Sequence, residues 1–456
     1  MNLASPLSII RAWRHQQART GPLRGAQAGR LATACAALCL LFGAQAAYAV
    51  EATWSGFATL GYARSDSDYT YQGSINREGT LLRDSLAAGQ VDLTLAPQLS
   101  ATLQVKVAQS PTAEHRYSAQ TAWAFIAWRP SNDWLLRAGR TRLPLYLHSE
   151  SLDVGVANDM ARLPYELYSV SPTNDFDGLF ATRTFTLGQR DINVDAYLGQ
   201  ADATARLWLR DGLPPVQAAG AFYKTVQVKV FGLAVGSRDT DLSWRVSLHS
   251  TRTRSADGRP LPASFPRVDL GPGIGYWKVD DSQPGPAIAS IASFRNRLFS
   301  AGAEWQINRD WRIAGEYVDM RQFATELGSE SKAGYVAVFR NIGAWTPYVS
   351  LARQRSSDTV LGWRLRLTQP SMPSYIPGAD QLNAAQRIAG ELGYAFDQRS
   401  TALGASYAIS PTTKLKGEWM RTKVGAASGH FDTPAGQPDA AGLGVNTLTV
   451  NVNVAF

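Results

Sequence analysis

The residues of this chain with the most to offer chemically are fixed charges rather than nucleophiles. Positions 142–176 gather Glu150, Asp153, Asp159, Glu166 and Asp175 against only Arg142 and Arg162. Elsewhere, single charges alternate with apolar or small residues. The bases are Lys106, Lys229, Arg245, Arg312 and Lys416, and the acids are Asp92, Asp195, Glu304, Glu316 and Glu418. Facing sets of opposite charge along a water-filled path can sort ions by sign. Catalysis has thinner support. After residue 49 the histidines are His115, His148, His249 and His430, none of them at a metal-ligand spacing, and no phosphate-cradling loop or nucleophile elbow occurs. Asn174-Asp175-Phe176-Asp177-Gly178 matches only a fragment of a calcium loop and reads as a turn. No enzyme activity, cofactor or metal is expected.

These charges need a scaffold, and the ends of the chain indicate which. From Val445 to Phe456 the sequence reads V-N-T-L-T-V-N-V-N-V-A-F. Leu448, Val450, Val452, Val454 and Phe456 share one face, while Thr447, Thr449, Asn451 and Asn453 share the other. A strand with lipid on one side and water on the other has this pattern. At the other end, residues 1–49 carry Arg11, Arg14, Arg19, Arg24 and Arg30 without an acid, then an apolar run from Leu31 to Phe42, then Ala47-Tyr48-Ala49. That is the layout of a signal peptide cleaved after Ala49, leaving a single domain over 50–456.

Removing five of the 45 basic residues leaves 40 against 37 acids, a net charge of +3 rather than +8. A nucleic-acid partner thereby loses its main support. Both cysteines, Cys35 and Cys39, fall in the leader, so the mature chain has no disulfide or thiolate chemistry. No apolar run after the leader is long enough for a transmembrane helix. A closed barrel is the other structure that satisfies every backbone polar group in lipid.

Short polar turns join alternating segments at Pro97-Gln98, Pro130 to Asp133, Gly188 to Asp191, Gly236 to Asp241, Asn308 to Asp310, Asn341 to Gly343 and Ser410 to Thr413. Between these hairpins lie longer connections near 64–85, 110–119, 142–176, 201–222, 253–294, 321–331, 356–397 and 425–444. Seven turns and eight loops predict about sixteen antiparallel strands, with short turns on the periplasmic side and long loops outside. Trp128 and Trp134 flank one turn, and Trp305 and Trp311 another, where aromatic girdles belong. Strand parity places the alternating charges named above, with His249, on lumen faces. Arg353 and Arg355 instead share the face of Val349 and Leu351 near the outer end of their strand, which suits either lipopolysaccharide phosphates or a solvated loop base above the membrane. Leu361 to Leu367 also alternates, and pairing it with Ala389 to Phe396 would make about eighteen strands. The preferred reading is a long loop with a short helix capped near Asp380 and carrying Leu382, Ala385, Ile388 or Ala389, Leu392 and Phe396 at helical spacing.

The chain resembles the Gram-negative porin superfamily, the 16-stranded and usually trimeric outer-membrane channels. The resemblance rests on W-S-G-F-A-T-L-G-Y from Trp54 to Tyr62, L-R-A-G-R-T-R-L-P-L from Leu136 to Leu145, Y-A-I-S-P-T-T-K-L-K from Tyr407 to Lys416, and the terminal Phe456. It implies an outer-membrane location, a third loop folded into the lumen to narrow the pore, and Phe456 as the assembly signal. Outer-membrane lipid and lipopolysaccharide, a homotrimer and small hydrophilic solutes are the implied partners. The constriction would be lined by Glu150, Asp153, Asp159 and Glu166 on the loop, and by Lys106, Arg245, Arg312 and Lys416 on the wall. This chain has Pro144-Leu145-Tyr146 and Pro164-Tyr165-Glu166 in place of the superfamily's Pro-Glu-Phe turn, which blocks direct transfer of selectivity residues. The expected function is passive diffusion of small hydrophilic solutes, with a substrate-specific anion or nutrient channel as the alternative.

Overall fold

The structure, a computed structural model, describes residues 50–212 and 218–456. The expected signal peptide and its cleavage site after Ala49 lie outside the described residues. The barrel begins with β1 (Glu51–Ser65), β2 (Leu86–Ala96), β3 (Leu99–Gln109), β4 (Tyr117–Ser131), β5 (Trp134–Arg142) and β6 (Asp175–Leu187). It continues through β7 (Arg190–Leu209), β8 (Gly220–Arg238), β9 (Leu242–Ser255), β10 (Phe294–Gln306) and β11 (Trp311–Phe323). The last strands are β12 (Ser331–Arg340), β13 (Trp345–Ser356), β14 (Phe396–Ser410), β15 (Thr413–Ser428) and β16 (Gly444–Ala455). Each pairs antiparallel with its chain neighbours, and β1 also pairs with β16, giving a closed barrel with no free edge.

Period-two alternation builds the wall. On β16, Leu448 is 54% exposed on the outside, while Thr447 and Thr449 are each 1% exposed and face in. Leu60, Leu179, Leu248 and Leu351 repeat the outward pattern around the barrel, supplying the apolar belt that lipid covers. At the short-turn end, Arg183 lies over the Trp134 ring at 5.2 Å and Arg340 over Trp311 at 5.3 Å, so the girdle carries cations as well as aromatics. Closure continues past β16: Gly56 and Phe456 exchange backbone hydrogen bonds of 2.8 and 2.9 Å. Position 56 must be glycine for this fit, because a Cβ there would sit 2.5 Å from the Phe456 ring.

Parity assigns the lumen charges except one. Lys229 shares the outer face of Phe231 and Leu233 on β8 and is exposed, whereas the inward residues beside it are Val228 and Val230. The register had been set one residue off there, which moves a side chain to the opposite face. The segment Leu361 to Leu367 is no strand. It lies in the helix Asp358–Thr368, capped by the Ser357 side chain on the Val360 amide. Val360, Leu361, Trp363 and Leu367 form its buried face, at spacings of three and four that alternation of Trp363, Leu365 and Leu367 had masked. The second helix, Ala379–Glu391, lies in the expected loop but stops short of Phe396, which starts β14; its N-cap is Gly378 at φ +83°, and Asp380 lies in the first turn. No eighteenth strand is needed.

Candidate functional site

The third loop follows from what comes after β5. Leu143, Leu145, Tyr146 and Leu147 could not stay in water cheaply. Gly139, at φ +128°, lets β5 approach β4 closely where a Cβ would meet Ala124 O at 2.3 Å. The loop then enters the barrel, where Leu145, Tyr146, Met160, Leu167 and Tyr168 pack with wall residues Phe180, Tyr197, Tyr335 and Tyr348.

Polar contacts fix its course. The Leu147 amide donates to Glu316 Oε2 at 2.7 Å, and the Tyr168 and Tyr335 hydroxyls donate to Oε1 at 2.5 and 2.9 Å. Glu316 thus anchors the loop by accepting donors rather than by meeting a cation. Lys416 donates to the carbonyls of Gly155 and Met160 at 2.7 and 3.1 Å. Asn451 donates to Ala161 O at 3.0 Å, so the polar face of β16 holds loop rather than open water.

The acids of the loop meet different fates. Asp153 is gripped by Lys106 at 2.9 Å and by Arg142 at 2.8 Å, while Asp175 takes Arg142 Nε at 2.9 Å. Burial opposes charge on Asp153, yet these two cations hold its carboxyl well below the usual range. Asp159 accepts from Arg312 at 2.5 Å and Lys414 at 2.7 Å, and despite burial it is likewise held low. Glu166 is 1% exposed and turned into the wall, accepting from Gln398 at 2.8 Å and Ser400 at 2.7 Å. Arg162 is locked to Asp84 of the first loop. Glu150 alone of these acids keeps substantial exposure: its side chain is 48% accessible, against 13% for Asp153 and Asp159.

Glu150 faces Arg245 at 3.7 Å. Arg137, which sequence reasoning had not singled out, lies on the wall between the Phe125 and Phe180 rings at 5.5 and 5.3 Å, within electrostatic reach of Glu150, Asp195 and Arg129. Its signal was parity on β5, where Leu136 and Ala138 take the opposite face. The structure therefore brings Glu150 to Arg245 and Asp159 to Arg312 as contacting pairs, and places Arg137 near Glu150. His249 sits between Tyr197 and Ser247, whose hydroxyl is 2.5 Å from its Nε2. That hydroxyl is buried beneath the Leu145 carbonyl, which makes the Ser/His pair part of the loop's seat.

The long β7–β8 hairpin extends past the barrel wall and meets other loops. Arg206 on one of its faces binds Glu114 of the second loop at 2.8 Å and Asp432 of the eighth at 2.6 Å. The Trp208 indole donates to Thr433 O at 2.8 Å on that same face. Arg210 joins the hairpin to Glu391 of the seventh loop at 2.8 Å.

No known protein-family profile and no curated protein matches the sequence. Among solved structures, outer-membrane-expressed OmpT of Vibrio cholerae is similar over 90% of this chain and 99% of that one, at 11% identity and a TM-score of 0.50. The trimer form of in-vitro folded OmpT of Vibrio cholerae covers 90% of this chain and 100% of its own, at 12% identity and a TM-score of 0.50. OprB of Pseudomonas putida, in its high-pH structure, has a TM-score of 0.49 at 10% identity, with 89% of this chain and 94% of that chain covered. Such identities speak to fold alone.

Proposed function

We propose that this outer-membrane β-barrel, which has the fold of the Gram-negative porins, is a passive channel for small hydrophilic solutes whose constriction is the gap beside Glu150. The observation that carries this reading is the asymmetry of the third loop. Most of its acids are consumed in holding it to the wall, and Glu150 is left exposed beside Arg245 and Arg137. A solute in that gap would pass between one carboxylate and two guanidinium groups, so size would be filtered more strongly than charge. Asp153, Asp159, Lys106, Arg312 and Lys416 act in this reading by fixing the loop, and Glu166 by seating it. A substrate-specific anion channel is the second reading, favoured by the nearness of Arg129 to Arg137. Planar-bilayer recording separates the two. Large conductance steps with a reversal potential near zero in a salt gradient support the general channel; small anion-selective steps blocked by one solute support the specific one, and silence defeats both.

The lipid partner is proposed from a basic arc on the outer rim. On the lipid-side face, Lys229 is in register with Arg252, and Arg252 with Arg295. Arg297 opposes Arg321, Lys332 opposes Arg355, and Arg353, Arg399 and Lys423 are neighbours across three strands. Asp319 already partners Arg321 and Lys332, and Asp358 partners Arg355, but the other like charges directly opposite one another cost stability, so the arc calls for a polyanion between them. Phosphates of lipopolysaccharide supply one at this height. On β6 and β7 the same outer face carries Asp177 and Asp202 instead. That sector is the better candidate for subunit contact, and a trimer is proposed by likeness to the trimeric OmpT form.

A further inference from the structure

On the face of the β7–β8 hairpin opposite Arg206, Leu207 borders a cavity of about 700 Å³ enclosed by the fifth, sixth and seventh loops. That volume falls within the range of small-molecule sites, and no residue of the third loop lines it, so the cavity is separate from the constriction. Most of its lining is apolar, including Phe265, Val279, Leu327, Trp363 and Ile388. Its aromatic wall is braced: Trp363 meets Trp277 edge-on at 4.9 Å and Phe265 at 6.2 Å.

The polar groups around the cavity are unevenly used. Asp257 accepts from the Ser255 hydroxyl at 2.5 Å, Asp280 from the Ser282 amide at 2.7 Å, and Glu326 from the Trp363 indole at 3.1 Å. Arg364 differs. Its side chain is 10% exposed and its nearest carboxylate, Asp439, lies 3.9 Å away. One guanidinium nitrogen donates to Gly390 O at 3.2 Å, but Nε is buried with no partner among the described residues. A buried donor without an acceptor is costly, and the guanidinium that carries it borders the cavity. Asp257, Asp280 and Glu326 have donors, and Lys224, Arg259 and Asp281 also border the cavity, so the buried donor that lacks an acceptor is Arg364 Nε.

We propose that this cavity is a binding site for small amphipathic carboxylic acids, with the apolar body against Trp363 and Phe265 and the carboxylate on Arg364. The inference does not depend on the channel reading, since it concerns loops above the constriction. Capture at the outer mouth would raise the local concentration of such acids.

The test uses the full mature barrel in lipid nanodiscs and ligand-observed fluorine NMR. The probes are 4-(4-fluorophenyl)butyrate, the matching alcohol and the matching amine, each measured against empty nanodiscs. The butyrate is expected to bind above the lipid background and more tightly than the amine. Arg364→Gln should weaken it about tenfold, the equivalent of ~1.4 kcal/mol, while sparing the alcohol. Arg364→Lys should keep the preference for butyrate over amine. Ala389→Trp, which fills the cavity, should abolish binding of butyrate and alcohol in a barrel of unchanged heat resistance and conductance. Butyrate binding no better than to empty discs, equal binding of the amine, or full binding by Ala389→Trp overturns the proposal. If Arg364→Gln disturbs the loops and loses the alcohol too, the Ala389→Trp result decides.

Discussion

Lys106 Nζ lies 2.9 Å from both carboxylate oxygens of Asp153, joining a wall strand to a loop residue that follows it by 47 positions. The same carboxylate also receives Arg142, which has Asp175 as a second acid. Asp153→Asn would leave the largely buried Lys106 with a neutral partner. The expected cost is about 3–5 kcal/mol of loop docking, because an uncompensated buried charge is dearer than the pair was worth. Single-channel recordings should show new noise or subconductance states, while the heat resistance of the barrel stays unchanged. Quiet, wild-type traces would show that the loop does not rely on this contact.

Glu150 and Arg245 are expected to shift selectivity in opposite directions. Glu150→Gln should move the reversal potential toward anions, and Arg245→Ala or Arg137→Ala toward cations. Each change should be about two- to threefold in permeability ratio, from the ~0.5 kcal/mol that one charge exerts at roughly 8 Å in water. Arg312→Ala should instead loosen the loop, because Arg312 is bound to Asp159 and Glu304 and lies over the Phe339 ring.

The eighth loop has a different pH response from the third. His430 is stacked on Phe396 at 4.4 Å, edge-on to Tyr165 at 4.7 Å, and bonded to Gln354 at 2.7 Å. Burial, helped by the Arg83 charge, pushes its imidazole from 6.5 down to about 3. The docked ring is therefore neutral, and a released ring binds a proton below 6.5. Docking is fully favoured above 6.5 and weakens as pH falls toward 3. Asp153 and Asp159, held low by cations, keep their contribution above the ordinary carboxylate value of 3.8 and lose it only as pH falls through their depressed values. Protease sensitivity near pH 5 should therefore rise around residue 430 before it rises around residue 155. His430→Gln should flatten the first response, and a simultaneous onset at both places would contradict this assignment.

Closure of the barrel should be sensitive at Gly56. A side chain there meets the Phe456 ring at 2.5 Å and Ala88 O at 2.9 Å. Gly56→Val is expected to destabilise the β1–β16 seam by about 1–3 kcal/mol, as overpacking does. Deleting Phe456 should slow assembly by removing the proposed signal and the last seam hydrogen bonds. Folding yield by heat-modified gel mobility checks both, and Gly56→Val folding at the wild-type rate and stability would count against the seam contact.

The basic arc predicts a lipid dependence. Replacing Arg353, Arg399 and Lys423 together by Ser should lower thermal stability in lipopolysaccharide-containing vesicles yet raise it slightly in phosphatidylcholine, where relief of like-charge register is all that changes. Equal shifts in both lipids would remove lipopolysaccharide from the arc.

Much of this barrel was legible in the chain because its rules are local. Alternation of Leu448, Val450 and Val452 against Thr449, Asn451 and Asn453 sets two faces within one strand, and a turn such as Pro97-Gln98 reverses direction without distant help. The seven short turns and eight longer connections followed from those rules, as did the inward face of Arg245 and Glu316. Tertiary structure decided what local spacing leaves open. Whether Asp159 is an exposed acid or a clamp depends on Arg312 and Lys414, the latter 255 positions away in the chain. Glu166 is withdrawn from the lumen by Gln398 and Ser400 of β14, while Glu150 keeps its exposure with Arg245 at 3.7 Å. The segment from Leu361 to Leu367 shows the same limit at the level of backbone. Its residues fit both a strand and a helix, and the buried set of Val360, Leu361, Trp363 and Leu367 favours the helix only when the fifth, seventh and eighth loops pack together.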